Sequence, residues 1–402
     1  MKIFAAAFLF IIFTSSNLFA AEQEVRNMTF DEFIKEIDGQ NLSLKVAKAK
    51  SDVSEADAIG VRIPNPKVGY ITRTDSSGSS ANGVEFKQEI PFPSKITNDY
   101  EARKYEARSQ QQSYLGVKSE VFARARLIYF NLWKSQRLKV ILKEKIQVIK
   151  DHVRLTRAIV RSDSFLKVHL IKAESDLEFL DNELIQADQQ IKENAAIMAQ
   201  FLDVDPNSFN PTLEEPPLIK IPSLQDLENP HQLEAKKLKV QSLKKREKEA
   251  DAEWLPDFYI GYQNLDRTQM MPGGSMTTIG ISLPFIFPWE PYSISKESAA
   301  SSRQAEAEYR REKRTIEAQV KILFDKLDSL KKQLNNIDQR LLPLAKKRLA
   351  IIRNLTPRDI PTLQEYRETT ENFPDLKLEE LRIRTEYEEV ASAILQYQRG
   401  IK

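Results

Sequence analysis

Two periodicities run through the chain, and they alternate. Over most of its length apolar residues recur at steps of three and four, the spacing of one helix face; in four short stretches apolar and polar residues alternate singly, the spacing of a strand. The helical stripe is longest from Ile316, where Ile316, Val320, Leu323, Leu327, Leu330, Leu334, Ile337, Leu341 and Leu344 form a heptad seam. An earlier segment carries Val117, Val121, Ala125, Ile128 and Leu132, then Leu138, Leu142, Ile146, Ile149 and Val153. Its return carries Leu166, Leu170, Ala173, Leu177, Leu180, Leu184, Ala187 and Ile191, and a shorter helix carries Leu42, Val46, Ala49, Val53 and Ala56. The pattern predicts a mostly α chain of long coiled-coil hairpins. Residues 94–160 hold no proline and one glycine, Gly116, so an unbroken helix there would reach about 100 Å at 1.5 Å per residue. Pro374, by contrast, is expected to kink or interrupt the last helix.

The alternating stretches, residues 67–76, 81–90, 258–267 and 275–283, come in two pairs, each fenced by prolines. Pro66 and Pro91 bracket the first pair as Pro256 and Pro284 bracket the second, and each pair precedes a long helical hairpin. Such self-similarity indicates a duplicated unit, with the two halves built alike. Val68, Tyr70 and Thr72, then Val84, Phe86 and Ile90, fall on one face, with Lys67, Gly69, Ile71, Arg73, Glu85, Lys87 and Glu89 on the other. The second copy repeats this with Phe258, Ile260 and Tyr262, then Ile279, Ile281 and Leu283. One apolar and one polar face is the alternation of a transmembrane β-barrel strand, and each stretch is near the ~9 to 11 residues a tilted strand needs to cross a bilayer. Short runs of alternation also fit one face of a periplasmic β-sandwich. Four strands cannot close on themselves, so a barrel would need further subunits. Phe92, Phe285, Phe287, Trp289 and Tyr292 cluster where strands give way to helices, as expected of an interfacial aromatic belt.

Met1-Lys2, the apolar run from Ile3 to Phe13 and Leu18-Phe19-Ala20-Ala21 read as a secretory signal peptide over residues 1–21, the run being too short to span a bilayer as a helix. The expected organisation is a first repeat at 22–202, a proline-rich equatorial linker at 203–230 and a second repeat at 231–402. The 402 residues contain no cysteine, which excludes disulfides and a lipid-modified cysteine. Sixty Lys and Arg against 58 Asp and Glu are interleaved, which is a solvated, ion-paired surface and no nucleic-acid footprint.

At this point the residues resemble the outer membrane efflux protein family, the TolC-like channels. Pro64-Asn65-Pro66, Glu89-Ile90-Pro91-Phe92, Ser282-Leu283-Pro284-Phe285 and Leu170-Ile171-Lys172-Ala173-Glu174 carry the resemblance, which covers nearly the whole mature chain and looks nearest to the heavy-metal efflux branch. It implies a homotrimer in the outer membrane lipid of a Gram-negative bacterium, with a twelve-stranded barrel on an α-helical periplasmic tunnel. It also implies a periplasmic adaptor and an inner-membrane pump, of resistance-nodulation-division type, as partners. The chain departs from the family at the helical tips, where a Tyr-x-x-Gly signature is common and this sequence has Val160-Arg161-Ser162-Asp163 and Asn354-Leu355-Thr356-Pro357.

Catalysis has little to draw on. His152, His169 and His231 show no metal-ligand spacing, there is no thiol and no glycine-rich phosphate loop, so no enzyme, cofactor or bound metal is expected. The candidate residues are the tip charges that a three-fold axis would turn into rings: Arg157, Arg161, Asp163 and Ser164 at the first tip, and Arg353, Arg358 and Asp359 at the second, as a gate or an adaptor contact. Met270, Met271 and Met276 gather in the second hairpin, where thioethers suit Cu(I), but with no cysteine or histidine beside them a flexible extracellular loop is the preferred reading. The competing reading is a soluble periplasmic coiled-coil adaptor or structural spacer. An adaptor ordinarily shows one helical hairpin flanked by β-rich domains, whereas here the hairpin occurs twice, each time preceded by strands.

Overall fold

The computed structural model describes residues 27–399 apart from 75, 77, 79, 160–165, 207–208, 220–226, 228, 268–272, 287 and 353–359. The segment read as a signal peptide therefore lies outside the described residues. The chain opens with β1 (Asn27–Met28), α1 (Phe30–Gln40) and α2 (Leu42–Asp57). Thr29 and Glu32 close a reciprocal capping box at the start of α1, and the Asn41 side chain caps α2 by accepting from the amides of Ser43 and Leu44. A hairpin of β2 (Lys67–Thr74) and β3 (Ser80–Ile90) follows, then α3 (Pro93–Ile159) and α4 (Leu166–Leu202). The 67-residue α3 is unbroken, as the absence of proline after its first turn requires. Asp203, at φ 59°, ends α4 in a left-handed turn in which the Val204 amide returns to the Ala199 carbonyl.

The second copy repeats the order: α5 (His231–Asp251), a hairpin of β5 (Phe258–Leu265) and β6 (Gly274–Ile281), then α6 (Trp289–Asn336), α7 (Leu342–Ile352) and α8 (Ile360–Leu395). The four long strands form one antiparallel sheet in the order β2-β3-β5-β6, so the two copies join through β3 and β5. Gly83 sits at that join, where a Cβ would come 2.0 Å from the Asn264 carbonyl oxygen, a backbone atom that cannot step aside. Gly83→Ala is therefore expected to part β3 from β5 and cut the yield of folded protein severely, measured as the fraction that resists protease in detergent.

Three apolar clusters fix the helices. Leu142, Ile146, Ile149 and Val153 of α3 mesh with Ala173, Leu180 and Ala187 of α4 along the first helical hairpin. In the second, Ile316, Val320, Leu327 and Leu330 of α6 meet Ile383, Tyr387, Val390 and Ile394 of α8. Around the middle of α3, Tyr129, Phe130 and Leu132 bury against Met28, Phe33 and Ile37 and against Met198 and Leu202. There the proline-rich linker is strapped to the helices by polar side chains. β4 (Thr212–Leu213) pairs in parallel with β1, Gln136 bonds both the Pro211 carbonyl and the Leu213 amide, and the Tyr129 hydroxyl lies 2.9 Å from the Met28 carbonyl and 3.0 Å from that of Glu214. Pro216 and Pro217 offer their carbonyls to Arg384 and Arg126. A linker with few free amides makes little structure of its own, so its acceptors are satisfied from the helices.

Two proline effects differ from expectation. α8 runs through Pro374 without interruption. Pro374 is buried, so the packing around its ring holds the turn that a proline weakens. The break falls instead between α6 and α7, where residues 337–341 form a π-turn and the Leu342 amide bonds to the Ile337 carbonyl, five residues back. Pro343 accounts for it: the ring removes the bond to the Gln339 carbonyl and crowds that oxygen, and a widened turn relieves both. The extra residue ends the heptad seam. Leu341 and Leu344, predicted to continue it, are exposed, and Ala345 and Leu349 are buried in their place.

Candidate functional site

The sheet is a single layer with two different faces. In register, Val68 lies opposite Phe86, Phe86 opposite Tyr262, and Ile260 opposite Ile279, so Val68, Tyr70, Val84, Phe86, Phe258, Ile260, Tyr262, Ile279 and Ile281 share one face. All nine are exposed, Val68 and Ile279 each at 77 %. The opposite face is a ladder of polar partners: Glu89 pairs with Lys67 and Lys87, Gln263 donates to Glu85 at 2.9 Å, and the Lys87 ammonium sits 5.1 Å from the Tyr259 ring centroid. A bare apolar face of this size has no place in water unless something covers it.

Asp257 joins sheet to helices. Its carboxylate accepts from the Phe92 amide at 2.8 Å and from Lys95 at 2.9 Å, and its backbone exchanges hydrogen bonds with Ser282. Lys95 is itself buried and also pairs with Glu253. The start of α3 is thus clamped to strands of the other copy. Sequence reasoning missed this residue: the equivalent position in the first copy is Lys67, so the repeat gave no signal for it. The interfacial aromatics lie around the same junction. Phe92 stacks on Phe258 at 6.3 Å, Phe285 lies in the short 3-10 turn before α6, Trp289 and Tyr292 are exposed with Lys296 above the Tyr292 ring, and Phe287 lies outside the described residues.

At the far end of the hairpins Arg157, in the last turn of α3, pairs with Glu174 of α4 at 2.6 Å. Arg161, Asp163, Ser164, Arg353, Arg358 and Asp359 lie outside the described residues, as do Met270 and Met271. Met276 stands on β6 opposite Gln263. A few turns from the tip the structure gathers a polar group that spacing did not reveal. Arg367 of α8 bonds Asp176 of α4 at 2.5 Å and Glu371 at 2.6 Å, and it lies beside His152 of α3, whose imidazole is only 4 % exposed and has no partner for Nδ1. Burial pushes His152 down to about 4, the Arg367 cation adds to this and Asp176 opposes it. This group ties the first hairpin to the second. Among the described residues no cluster of His, Asp and Glu could hold a metal ion, and no helix is long and apolar enough to cross a membrane.

No sequence-family model matches the chain, and no curated protein matches it in sequence. Its backbone, however, superposes on solved outer-membrane channels. The open state of the MtrE outer membrane channel of Neisseria gonorrhoeae matches with a TM-score of 0.75 at 12% identity, over 93% of this chain and 89% of that one. The fold is that of the TolC-like outer membrane channels. CusC, solved in a study of folding and transmembrane channel formation, gives 0.73 at 13% identity over 92% of each chain. The CmeC outer membrane channel of Campylobacter jejuni gives 0.71 at 15% identity, over 92% of this chain and 85% of that one. Within the TolC-like fold, then, lie the duplicated hairpins, the single-layer sheet and the long helical pairs described above.

Proposed function

We propose that the chain is one protomer of a trimeric outer-membrane duct, the outlet of a tripartite export system. The observation that carries this reading is the sheet: four strands, bare apolar residues on one face, a polar ladder on the other, and outer edges on β2 and β6 without partners among the described residues. Lipid covers such a face at no cost, but it tolerates no open edge, so β2 of one copy meets β6 of the next until the ring closes. Three copies of four strands close a barrel of ordinary size. The polar ladder then faces the lumen, and the helices continue the duct into the periplasm, with the repeats at 22–202 and 231–402 as its halves and residues 203–230 as an outer strap.

The duct is passive: an inner-membrane pump of resistance-nodulation-division type hands over its substrate through a periplasmic adaptor, and the tip charges Arg157, Arg161, Asp163, Arg353, Arg358 and Asp359 are the gate or the adaptor contact. The branch resemblance favours metal cations as the cargo. A soluble coiled-coil spacer would have no use for the bare sheet face. Purified in detergent and inserted in a planar bilayer, the protein is expected to have the mass of a trimer and to give discrete conductance steps. A monomer or dimer that stays soluble without detergent and carries no current would overturn the proposal.

A further inference from the structure

The π-turn leaves α7 with two apolar stripes. Leu342, Ala345 and Leu349 turn to α8 of the same chain, while Leu341, Leu344 and Ile351, displaced by one residue and so by about 100° around the helix, are exposed, the last two at 57 % and 66 %. At the opposite edge of the molecule α4 packs along α3, and Ile171, Phe179 and Ile185, spread over about 120° of its outward side at about 100° per residue, are bare at 62 %, 68 % and 66 %. The order across the helical pairs is α4-α3-α8-α7, so these bare residues lie on the two free edges, as β2 and β6 do in the sheet.

Their heights correspond. Arg367 of α8 bonds Asp176 of α4, and two residues on Thr369 bonds Arg348 of α7, so Arg348 and Asp176 lie nearly level. Towards the sheet, Leu344 and Phe179 lie four and three residues from this level and Leu341 and Ile185 seven and nine, and towards the tip Ile351 and Ile171 lie three and five, so at 1.5 Å per residue each pair matches in height to within about 3 Å. A rotation about an axis along the duct preserves height, so each pair would meet between neighbouring copies. Charge agrees: residues 342–352 carry Lys346, Lys347 and Arg348 and no acid, whereas residues 174–183 carry Glu174, Asp176, Glu178, Asp181 and Glu183 and no base.

We infer that the outer stripe of α7 docks on α4 of a second copy, so that Leu341, Leu344 and Ile351 seal the tunnel wall below the π-turn against Ile185, Phe179 and Ile171. The inference rests on the trimeric duct. Its own content is the register of the seam and the role of the π-turn, which splits one apolar seam between two partners.

Because the chain has no cysteine, paired cysteines test it against a silent background. The double variants Leu344→Cys/Phe179→Cys, Leu341→Cys/Ile185→Cys and Ile351→Cys/Ile171→Cys are oxidised in detergent and compared with each single variant. The expected result is a ladder of covalent dimer and trimer in the doubles, absent from the singles and removed by reductant. Trimers of native mass in which all three pairs stay unlinked, or link only within one chain, would overturn the seam and leave the duct standing. Absence of any trimer would remove both.

Discussion

Replacing Glu388 by alanine is expected to destabilise the middle of the helical tunnel by about 3–5 kcal/mol, the cost of stranding a buried cation. Glu388 is fully buried and receives the Arg126 guanidinium through two hydrogen bonds, at 2.8 and 3.1 Å. The same guanidinium bonds the Pro217 carbonyl and lies 5.1 Å from the Phe30 ring centroid, so one ion pair joins α3, α8, the linker and α1. Alanine leaves that charge in an apolar setting with one carbonyl for company. Thermal denaturation followed by circular dichroism in detergent measures the loss. The double variant Arg126→Met/Glu388→Leu, which removes both charges and keeps the volume, should recover most of it. Equal destabilisation in the single and double variants would mean that the linker contact, and not the ion pair, holds this level together.

The second large effect is a dependence on pH. His152 titrates near 6.5 in an unfolded chain and near 4 in the folded one, because the charged form is buried beside Arg367. Between those values the unfolded state binds the proton and the folded state does not. The contribution of His152 is therefore complete above pH 6.5, is lost as pH falls from 6.5 to 4, and is constant below, for a total of about 3 kcal/mol. The charges around it, Asp176 and His169 of α4 and Arg367 and Glu371 of α8, sit where the two hairpins touch, so weakening should begin between the hairpins. His152→Gln can still reach the Thr156 hydroxyl, which lies 3.4 Å from Nε2 in the native protein. Plotted against pH, the stability difference between wild type and His152→Gln should change across this window in favour of the variant as pH falls. A flat difference would mean that the imidazole is solvated.

The sheet was the most legible part of the molecule. Both faces followed from alternation, since in a strand each residue's side is fixed by its parity, and the register carried Val68, Phe86, Tyr262 and Ile260 to the same side. The helices were legible as far as their spacing held. Along α6 the expected seam is buried at Ile316, Val320, Leu327, Leu330 and Ile337 and then fails, because Pro343 acts on the backbone one turn before itself. Pro374 misled in the opposite direction. Its helix is held from outside, by the packing around a buried ring, which proline spacing cannot reveal.

What the sequence determined by itself was periodicity, duplication and the two-faced strand, because each depends on neighbours a few residues apart. The tertiary structure alone decided which polar groups meet. Asp257 clamps Phe92 and Lys95, Arg126 finds Glu388, and His152 lies beside Arg367, each pair separated by more than 150 positions along the chain. A charge at a given position says nothing of its partner until packing brings the helices together. Once buried, such a group must be paired or neutral, and the fold then depends on it.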